Sequence, residues 1–164
     1  MPNIYGDDFE GQAGRGQTPP PGFGGRFRTL AAPAGAERLG MTLWEVPPGT
    51  TSYPYHYHLG DEELVVVLSG QGTVRTPDGV RPLVAGEVIS FLPGAQGAHQ
   101  FTCTGEEPVR FLAISTRDVV DICGYPDSGK VAAREQRPGG YWGVHRVEDT
   151  VGYWDGEAAK PDAD

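Results

Sequence analysis

The chain has 164 residues, of which 38% are hydrophobic, and its 13 Lys and Arg against 22 Asp and Glu give a formal net charge of −9. This content is enough for one core, so a single domain is expected. The basic residues form no run, which disfavours nucleic-acid binding. A membrane helix and a signal peptide are also not expected, because no segment approaches the roughly 18 apolar residues of a span. Cys103 and Cys123 are too few for a disulfide framework, so we expect a cytoplasmic protein with reduced thiols.

Residues 1–25 are rich in Gly, Pro and Gln and predict an irregular N-terminal arm. Its aromatic residues could hold the arm against the rest of the protein or against a neighbour; they are Tyr5, Phe9 and Phe23. A flexible tail is the alternative interpretation. A first strand is predicted at residues 26–30, and a clear strand at residues 38–46 ends at Pro47-Pro48-Gly49, since proline cannot donate to a ladder.

Short strands separated by turn residues dominate the centre of the chain. Beyond the first two they are predicted at residues 63–69, 73–76, 80–84, 87–92, 98–102 and 109–115, with hairpin turns at 70–72 and 77–79. Regular turns of this kind indicate a closed or two-sheet barrel. After Thr116 the pattern weakens: residues 118–123 are a strand or a helical turn, and the rest is loop with one strand near 143–147. No internal repeat is found, so one barrel is expected.

The predicted strand at residues 63–69 is apolar on both faces. Alternation places Glu63, Val65 and Val67 on one face and Leu64, Val66 and Leu68 on the other. If the first set faces the interior, the outer face must also be covered, by another sheet, by the N-terminal arm or by a second subunit.

The stretch before this strand contains a candidate metal site. His56 and His58 are two residues apart, so on a strand their imidazoles point to the same side. Glu63 would add a carboxylate from the adjacent strand, and a divalent cation accepts such a set of ligands. Asp61 and Glu62 are alternative carboxylates. A His-x-His pair on its own also fits surface histidines beside a turn.

Two groups of residues together resemble the paired motifs of the cupin superfamily. The first group is Gly49, His56, His58, Glu63 and Gly70, and the second is Gly86, Pro93, Gly94 and His99. This chain departs from the family pattern in one extra residue after Gly49, in a longer loop before His99, and in Cys103 at the position of the expected asparagine. The flanking residues 47–49, 125–131 and 153–157 are similar to those of small single-domain bacterial cupins.

The resemblance implies an all-β protein with one double-stranded β-helix or jelly-roll barrel at residues 26–116. The N-terminal arm would be residues 1–25, and residues 117–164 would form an irregular extension packed on the barrel or on a dimer partner. It further implies that His56, His58, Glu63 and His99 bind one divalent metal ion, which could be Zn, Fe, Mn or Ni. An unpaired Glu63 inside a barrel would cost several kcal/mol, and a cation would offset that cost.

Other polar and aromatic residues receive weaker predictions. Cys103 shares its face with His99 and Phe101, so it either lines the pocket or is a small core residue. Three tyrosines alternate with the histidines and are expected to point away from them: Tyr53, Tyr55 and Tyr57. Three charged residues on the strands could reach the pocket mouth but are expected to form surface ion pairs: Glu45, Arg75 and Arg81.

The predicted function is that of a metal-dependent enzyme acting on a small oxygen-bearing molecule, either an oxygenase or a redox-neutral isomerase or lyase. The alternative is a metal-containing cupin that binds or senses a small molecule without turnover. A structural or storage role is weakest, because it requires no complete ligand set. A homodimer is expected, since the doubly apolar strand and four aromatic residues, Tyr141, Trp142, Tyr153 and Trp154, need a surface to cover them.

Overall fold

A computed structural model describes residues 1–12 and 17–158. Within them the chain forms thirteen β-strands and four short 3-10 helices, with no α-helix. The strands are β1 Gly11–Gln12, β2 Arg26–Thr29, β3 Leu39–Val46, β4 Tyr57–His58, β5 Glu63–Ser69, β6 Gly72–Thr76, β7 Gly79–Pro82, β8 Val88–Phe91, β9 Gln100–Cys103, β10 Val109–Thr116, β11 Val120–Tyr125, β12 Lys130–Glu135 and β13 Trp142–Arg146. The 3-10 helices are Ala32–Ala34, Ala95–Gly97, Pro126–Ser128 and Val147–Asp149. The predicted all-β class is confirmed.

The strands form three antiparallel sheets. Their orders are β1-β2-β3-β10-β5-β8, β13-β12-β11-β4 and β7-β6-β9. The hairpin predicted at residues 70–72 is wrong, because β5 pairs with β10 and β8 whereas β6 pairs with β7 and β9. This turn instead carries the chain from one sheet to another. Gly70 has a φ of +90°, and a Cβ there would lie 2.4 Å from the carbonyl oxygen of Pro108, so only glycine fits the crossing.

The main core lies between the six-stranded and the three-stranded sheet. Its buried members are Val46, Val65, Val67, Val74, Leu83, Phe91, Phe101, Cys103, Val109 and Phe111. The rings of Phe101 and Phe111 are 4.6 Å apart, centroid to centroid. The inward face of β5 is therefore the one predicted from alternation, and Glu63 at its start opens onto the end of this core.

The outer face of the large sheet is covered by the N-terminal arm. Ile4 and Phe9 from the arm pack with Val66, Leu68 and the buried Leu30, Leu43 and Leu112. Ion pairs hold the same segment, between Arg110 and Asp7 (2.6 Å) and between Arg28 and Asp8 (2.7 Å). The predicted covering of the outer face of β5 is thus confirmed for Val66 and Leu68, whereas Leu64 remains 37% exposed. Tyr5 does not pack on the barrel, because its side chain is 77% exposed, so for this residue only contact with a neighbour remains a prediction.

The segment after Thr116 contains more strand than its sequence indicates. A four-stranded sheet is formed by the short β4 together with β11, β12 and β13. The residues of β12 were predicted as loop. The reason is an inverted pattern on β11, where Asp121 and Cys123 are buried while Val120 and Ile122 are exposed. Alternation normally places apolar residues inside, so a strand that buries charge is difficult to recognise from its sequence.

The four aromatic residues of the C-terminal segment, Tyr141, Trp142, Tyr153 and Trp154, are exposed on a single copy of the chain. Exposure of this kind is compatible with the expected homodimer, which stays a prediction. No helix among the described residues is long and apolar enough to cross a membrane.

Candidate metal centre

Three strands and one loop bring the predicted ligands together. His58 lies on β4 and His56 just before it, while Glu63 is the first residue of β5. His99 precedes β9 and forms a bridge with His56, in which the backbone N–H of each donates to the carbonyl of the other (2.8 and 3.3 Å). The long loop before His99 folds into a 3-10 turn at Ala95–Gly97, so the extra residues do not carry this histidine away.

Glu63 connects His99 to the pair formed by His56 and His58. His58 Nε2 lies 3.2 Å from His56 Nε2, and Glu63 Oε2 lies 3.1 Å from His99 Nε2 and 3.5 Å from His58 Nε2. His56, His58 and Glu63 offer ligand atoms that all lie within 4.8 Å of one another. His99 is 1% exposed, so its ring closes the inner end of the cluster.

The other nitrogen of each ring is held by an acceptor. The partners of Nδ1 are Pro54 O for His56 (3.0 Å), Asp121 Oδ2 for His58 (2.7 Å) and Gly97 O for His99 (2.9 Å). Because a carbonyl can only accept, Nδ1 of His56 and of His99 carries a proton, and Nε2 is the nitrogen left to face a metal ion. Oε2 of Glu63 is buried and receives no aligned hydrogen bond from the described residues. Lone pairs and a carboxylate oxygen facing each other at this distance fit a cation between them.

Burial and mutual charge set the protonation of the cluster. Burial, with His99 and His58 nearby, lowers the pKa of His56 to about 3, so this ring is neutral at pH 7. Burial disfavours the charged form of His58 as well, but the hydrogen bond to Asp121 outweighs it and raises the pKa of His58. Burial raises the pKa of Glu63, yet the facing histidines hold it at about 2, so the carboxylate is anionic. A proton on His58 and a metal ion would therefore compete for the same Nε2.

Asp121 is the functional residue that sequence reasoning missed. It is 1% exposed and accepts from His58 Nδ1, from the backbone N–H of Gly60 (3.1 Å) and from the thiol of Cys123 (3.3 Å). A carboxylate that holds the second nitrogen of a ligating histidine fixes the ring's tautomer and orientation. The only signal in the sequence was an aspartate between Val120 and Ile122. A sequence alone does not show whether such a residue is buried on a strand or exposed in a turn.

The alternative carboxylates do not face the histidines. Asp61 is buried but its carboxylate bonds Arg134 Nη2 (2.8 Å) and the backbone N–H of Asp118 (2.9 Å), while Glu62 is exposed. The preference for Glu63 therefore agrees with the geometry. Asp121 and Cys123 also form, with His58, a second set of close ligand atoms, but this set shares its histidine with the first.

The structure separates the remaining predicted residues. Cys103 lies in the apolar core with its thiol 3.3 Å from the carbonyl oxygen of Glu107, as expected of a small core residue. The prediction that Tyr53 points away is wrong: its ring meets the His56 ring edge-on at 4.9 Å and the His99 ring at 6.0 Å. The alternation fails there because residues 53–55 bend around Pro54 and form no strand.

The predicted surface ion pairs are present. Arg75 binds Asp127 (2.6 Å) and Arg81 binds Glu87 (2.7 Å). Glu45 binds Arg110 (2.8 Å) and also Arg26, but it is only 7% exposed, so its carboxylate is buried and not solvent-facing as predicted. Arg75 additionally covers the ring of Tyr55 at 4.0 Å. These residues therefore stabilise the barrel surface.

Comparison with known proteins agrees with this architecture. The family model of the Cupin domain matches residues 42–115. A solved structure of a proposed sugar phosphate isomerase from Acidithiobacillus ferrooxidans is 30% identical, with a TM-score of 0.72 over 80% of this chain and 81% of that one. The chain belongs to the cupin family. The resemblance inferred from the two motifs is thereby confirmed, together with the cupin fold that it implied.

Two further solved structures are similar to this cupin. A sugar phosphate isomerase of the cupin superfamily from Silicibacter pomeroyi is 25% identical, with a TM-score of 0.71 over 80% of this chain and 82% of that one. A polyketide cyclase from Streptomyces resistomycificus is 29% identical, with a TM-score of 0.50 over 57% and 66%. No curated protein matches this cupin. The similarity to the two isomerases covers more of the chain than the matched domain does.

Proposed function

We propose that this cupin is a divalent-metal-dependent enzyme that isomerises a small oxygen-bearing molecule without net oxidation or reduction. The observation that carries the proposal is the cluster of ligand atoms from His56, His58 and Glu63, together with the approach of His99 Nε2 to the same Glu63 oxygen at 3.1 Å. Three neutral imidazoles and one carboxylate would leave a divalent ion with a net charge near +1. Such an ion supplies Lewis-acid polarisation of a carbonyl oxygen.

The surrounding residues hold the ligands and exclude water. Asp121 and the carbonyls of Pro54 and Gly97 orient the three rings. Phe91 stacks on the His99 ring at 4.0 Å with an interplanar angle of 25°, and Tyr53 meets the same ring edge-on at 6.0 Å. An apolar wall around a charged centre strengthens its electrostatic interactions.

The isomerase class is favoured over the oxygenase class by similarity. The two structures similar over four-fifths of this cupin are described as sugar phosphate isomerases, whereas the cyclase is similar over a smaller share. Both named activities are compatible with polarisation of a carbonyl group. The substrate of this cupin is therefore proposed to contain a carbonyl beside a hydroxyl-bearing carbon.

The test is turnover in heavy water. Metal-stripped protein is reloaded with Zn²⁺, Mn²⁺, Ni²⁺ or Fe²⁺ and incubated with a panel of aldose and ketose phosphates, while NMR follows interconversion and deuterium uptake beside the carbonyl. We expect metal-dependent conversion, loss of conversion in Glu63→Gln, and unchanged conversion in Glu62→Gln, the exposed neighbour. Equal conversion by metal-stripped protein would refute the proposal. Oxygen consumption would identify an oxygenase, and metal-dependent binding without conversion would identify a binding protein.

A further inference from the structure

A row of side chains extends from the metal centre across the four-stranded sheet. Tyr125 on β11 pairs with Lys130 on β12, and Lys130 pairs with Arg146 on β13. The ring of Tyr125 stacks on the His56 ring at 5.9 Å with an interplanar angle of 21°. Cys123, two residues earlier on β11 and so on the same face, has its thiol 3.4 Å from a ring nitrogen of the His-x-His pair. The row therefore lies on the face of the sheet that bears the metal centre.

Lys130 places a positive charge one aromatic ring away from His56. Its Nζ lies 5.6 Å from the centroid of the Tyr125 ring. No carboxylate of the described residues forms an ion pair with this ammonium, whereas two neighbouring cations are paired, Arg134 with Asp61 and Arg75 with Asp127. In a chain with 22 acidic and 13 basic residues, a half-buried ammonium left without a carboxylate is available for an anionic ligand.

Arg146 supplies a second cation beside Lys130. Its only ion pair among the described residues is with Glu148 at 3.7 Å, and the two side chains are 61% and 75% exposed. A pair of that length and exposure contributes little, so a ligand can displace it. Two cations opposite each other in the register match a dianion better than a monoanion, and both residue types bind phosphate well.

We propose that Lys130, assisted by Arg146, forms an anion subsite for the phosphate of a phosphorylated substrate whose oxygen-bearing end reaches the metal centre. Adjacent strands are about 5 Å apart, so the backbone of Lys130 lies two spacings, or about 10 Å, from the line of β4. A short phosphorylated hydroxy acid or sugar spans such a separation with the help of the lysine side chain. The proposal rests on the proposed function for the metal end of the ligand and adds the group that binds the other end.

The test compares three hydroxy acids that chelate a metal through the same atoms. 3-Phosphoglycerate carries a phosphate at its far end, malate carries a carboxylate there, and glycerate carries neither. Calorimetry with zinc-loaded protein should show 3-phosphoglycerate binding at least tenfold more tightly than glycerate, with malate in between. Lys130→Ala should remove most of that advantage and leave glycerate binding unchanged, while Lys130→Arg should retain it. Arg137→Ala, the same charge change at an exposed site on the same segment, should have no effect.

The outcomes separate the subsite from the metal function. Equal affinity for 3-phosphoglycerate and glycerate, or an advantage that survives in the Lys130→Ala, Arg146→Ala double variant, would overturn the subsite and leave the metal function standing. If malate and 3-phosphoglycerate exceed the affinity of glycerate by the same factor, the assignment of the subsite to phosphate would be overturned. Lys130-dependent binding of 3-phosphoglycerate by metal-stripped protein, with no effect of zinc, would support the subsite and contradict the metal function. No binding of any of the three would overturn the subsite.

Discussion

Asp121→Asn tests whether the buried carboxylate behind His58 positions that ring for metal binding. The substitution keeps the size of the side chain but removes the charge. Asp121 accepts on both oxygens, from His58 Nδ1 through Oδ2 and from the backbone N–H of Gly60 and Asp61 through Oδ1. An amide has only one accepting atom. It must therefore leave either the backbone donors or the histidine facing an NH₂ group.

Each orientation has a cost. If the amide nitrogen faces His58, Nδ1 must become the acceptor, the proton moves to Nε2, and the lone pair needed for the metal is lost. If the oxygen faces His58, the N–H groups of Gly60 and Asp61 face a donor. Loss of such an outer partner typically weakens metal affinity by about 10- to 100-fold, which corresponds to about 1.4–2.7 kcal/mol. Asp121 also raises the pKa of His58, so the comparison uses the pH-independent affinity of each protein, obtained from titrations at several pH values.

The assay is equilibrium competition for Zn²⁺ against a chromophoric chelator, with unfolding in the presence of chelator measured separately. Asp61→Asn is the control, because it removes a similarly buried charge that contacts no histidine and that shares Arg134 with Asp121. We expect the control to lower stability without changing the zinc affinity at comparable folded fraction. Zinc affinity of Asp121→Asn within twofold of the wild type would refute the positioning role.

Three further predictions follow from the geometry. Metal affinity should rise by about tenfold per pH unit, because the raised pKa of His58 keeps a proton on the ring that the metal must displace. Zinc titrations at about pH 6, 7 and 8 check this, and an affinity that does not change with pH would contradict it. Gly70→Ala should destabilise by about 1–3 kcal/mol in chemical denaturation, since its Cβ would meet the Pro108 carbonyl, whereas Gly152→Ala, with no atom within 4 Å, should be near neutral. Sedimentation should show a homodimer at micromolar concentration, and a monomer throughout would remove that expectation.

The sequence contains local information about the ligands and about the strands that bury apolar residues. The i, i+2 spacing of His56 and His58 and the alternation of β5 follow from strand geometry, and both are present in the structure. Alternation excludes Glu62 but not Asp61, and Glu63 is preferred because its spacing to Gly70 resembles the first cupin motif. These features depend on residues close to one another in the chain.

The features that could not be predicted depend on contacts between distant segments. Asp121 is 63 residues from the histidine that it holds, and its strand buries polar residues, so neither spacing nor alternation identifies it. Tyr53 reaches the ligands because Pro54 interrupts the strand. The covering of β5 by Ile4 and Phe9 depends on an arm whose own sequence has no strand pattern.

The most direct test of the metal centre is the metal content of purified protein and of single histidine variants, measured by elemental analysis. We expect about one divalent ion per chain in the wild type and in His145→Ala, the exposed histidine outside the cluster, and a large loss in His56→Ala, His58→Ala and Glu63→Ala that remain folded by circular dichroism. The same loss in His99→Ala would establish four ligands, whereas retention there alone would reduce the centre to three. Near-full occupancy in the His56 or His58 variant would contradict the proposed centre.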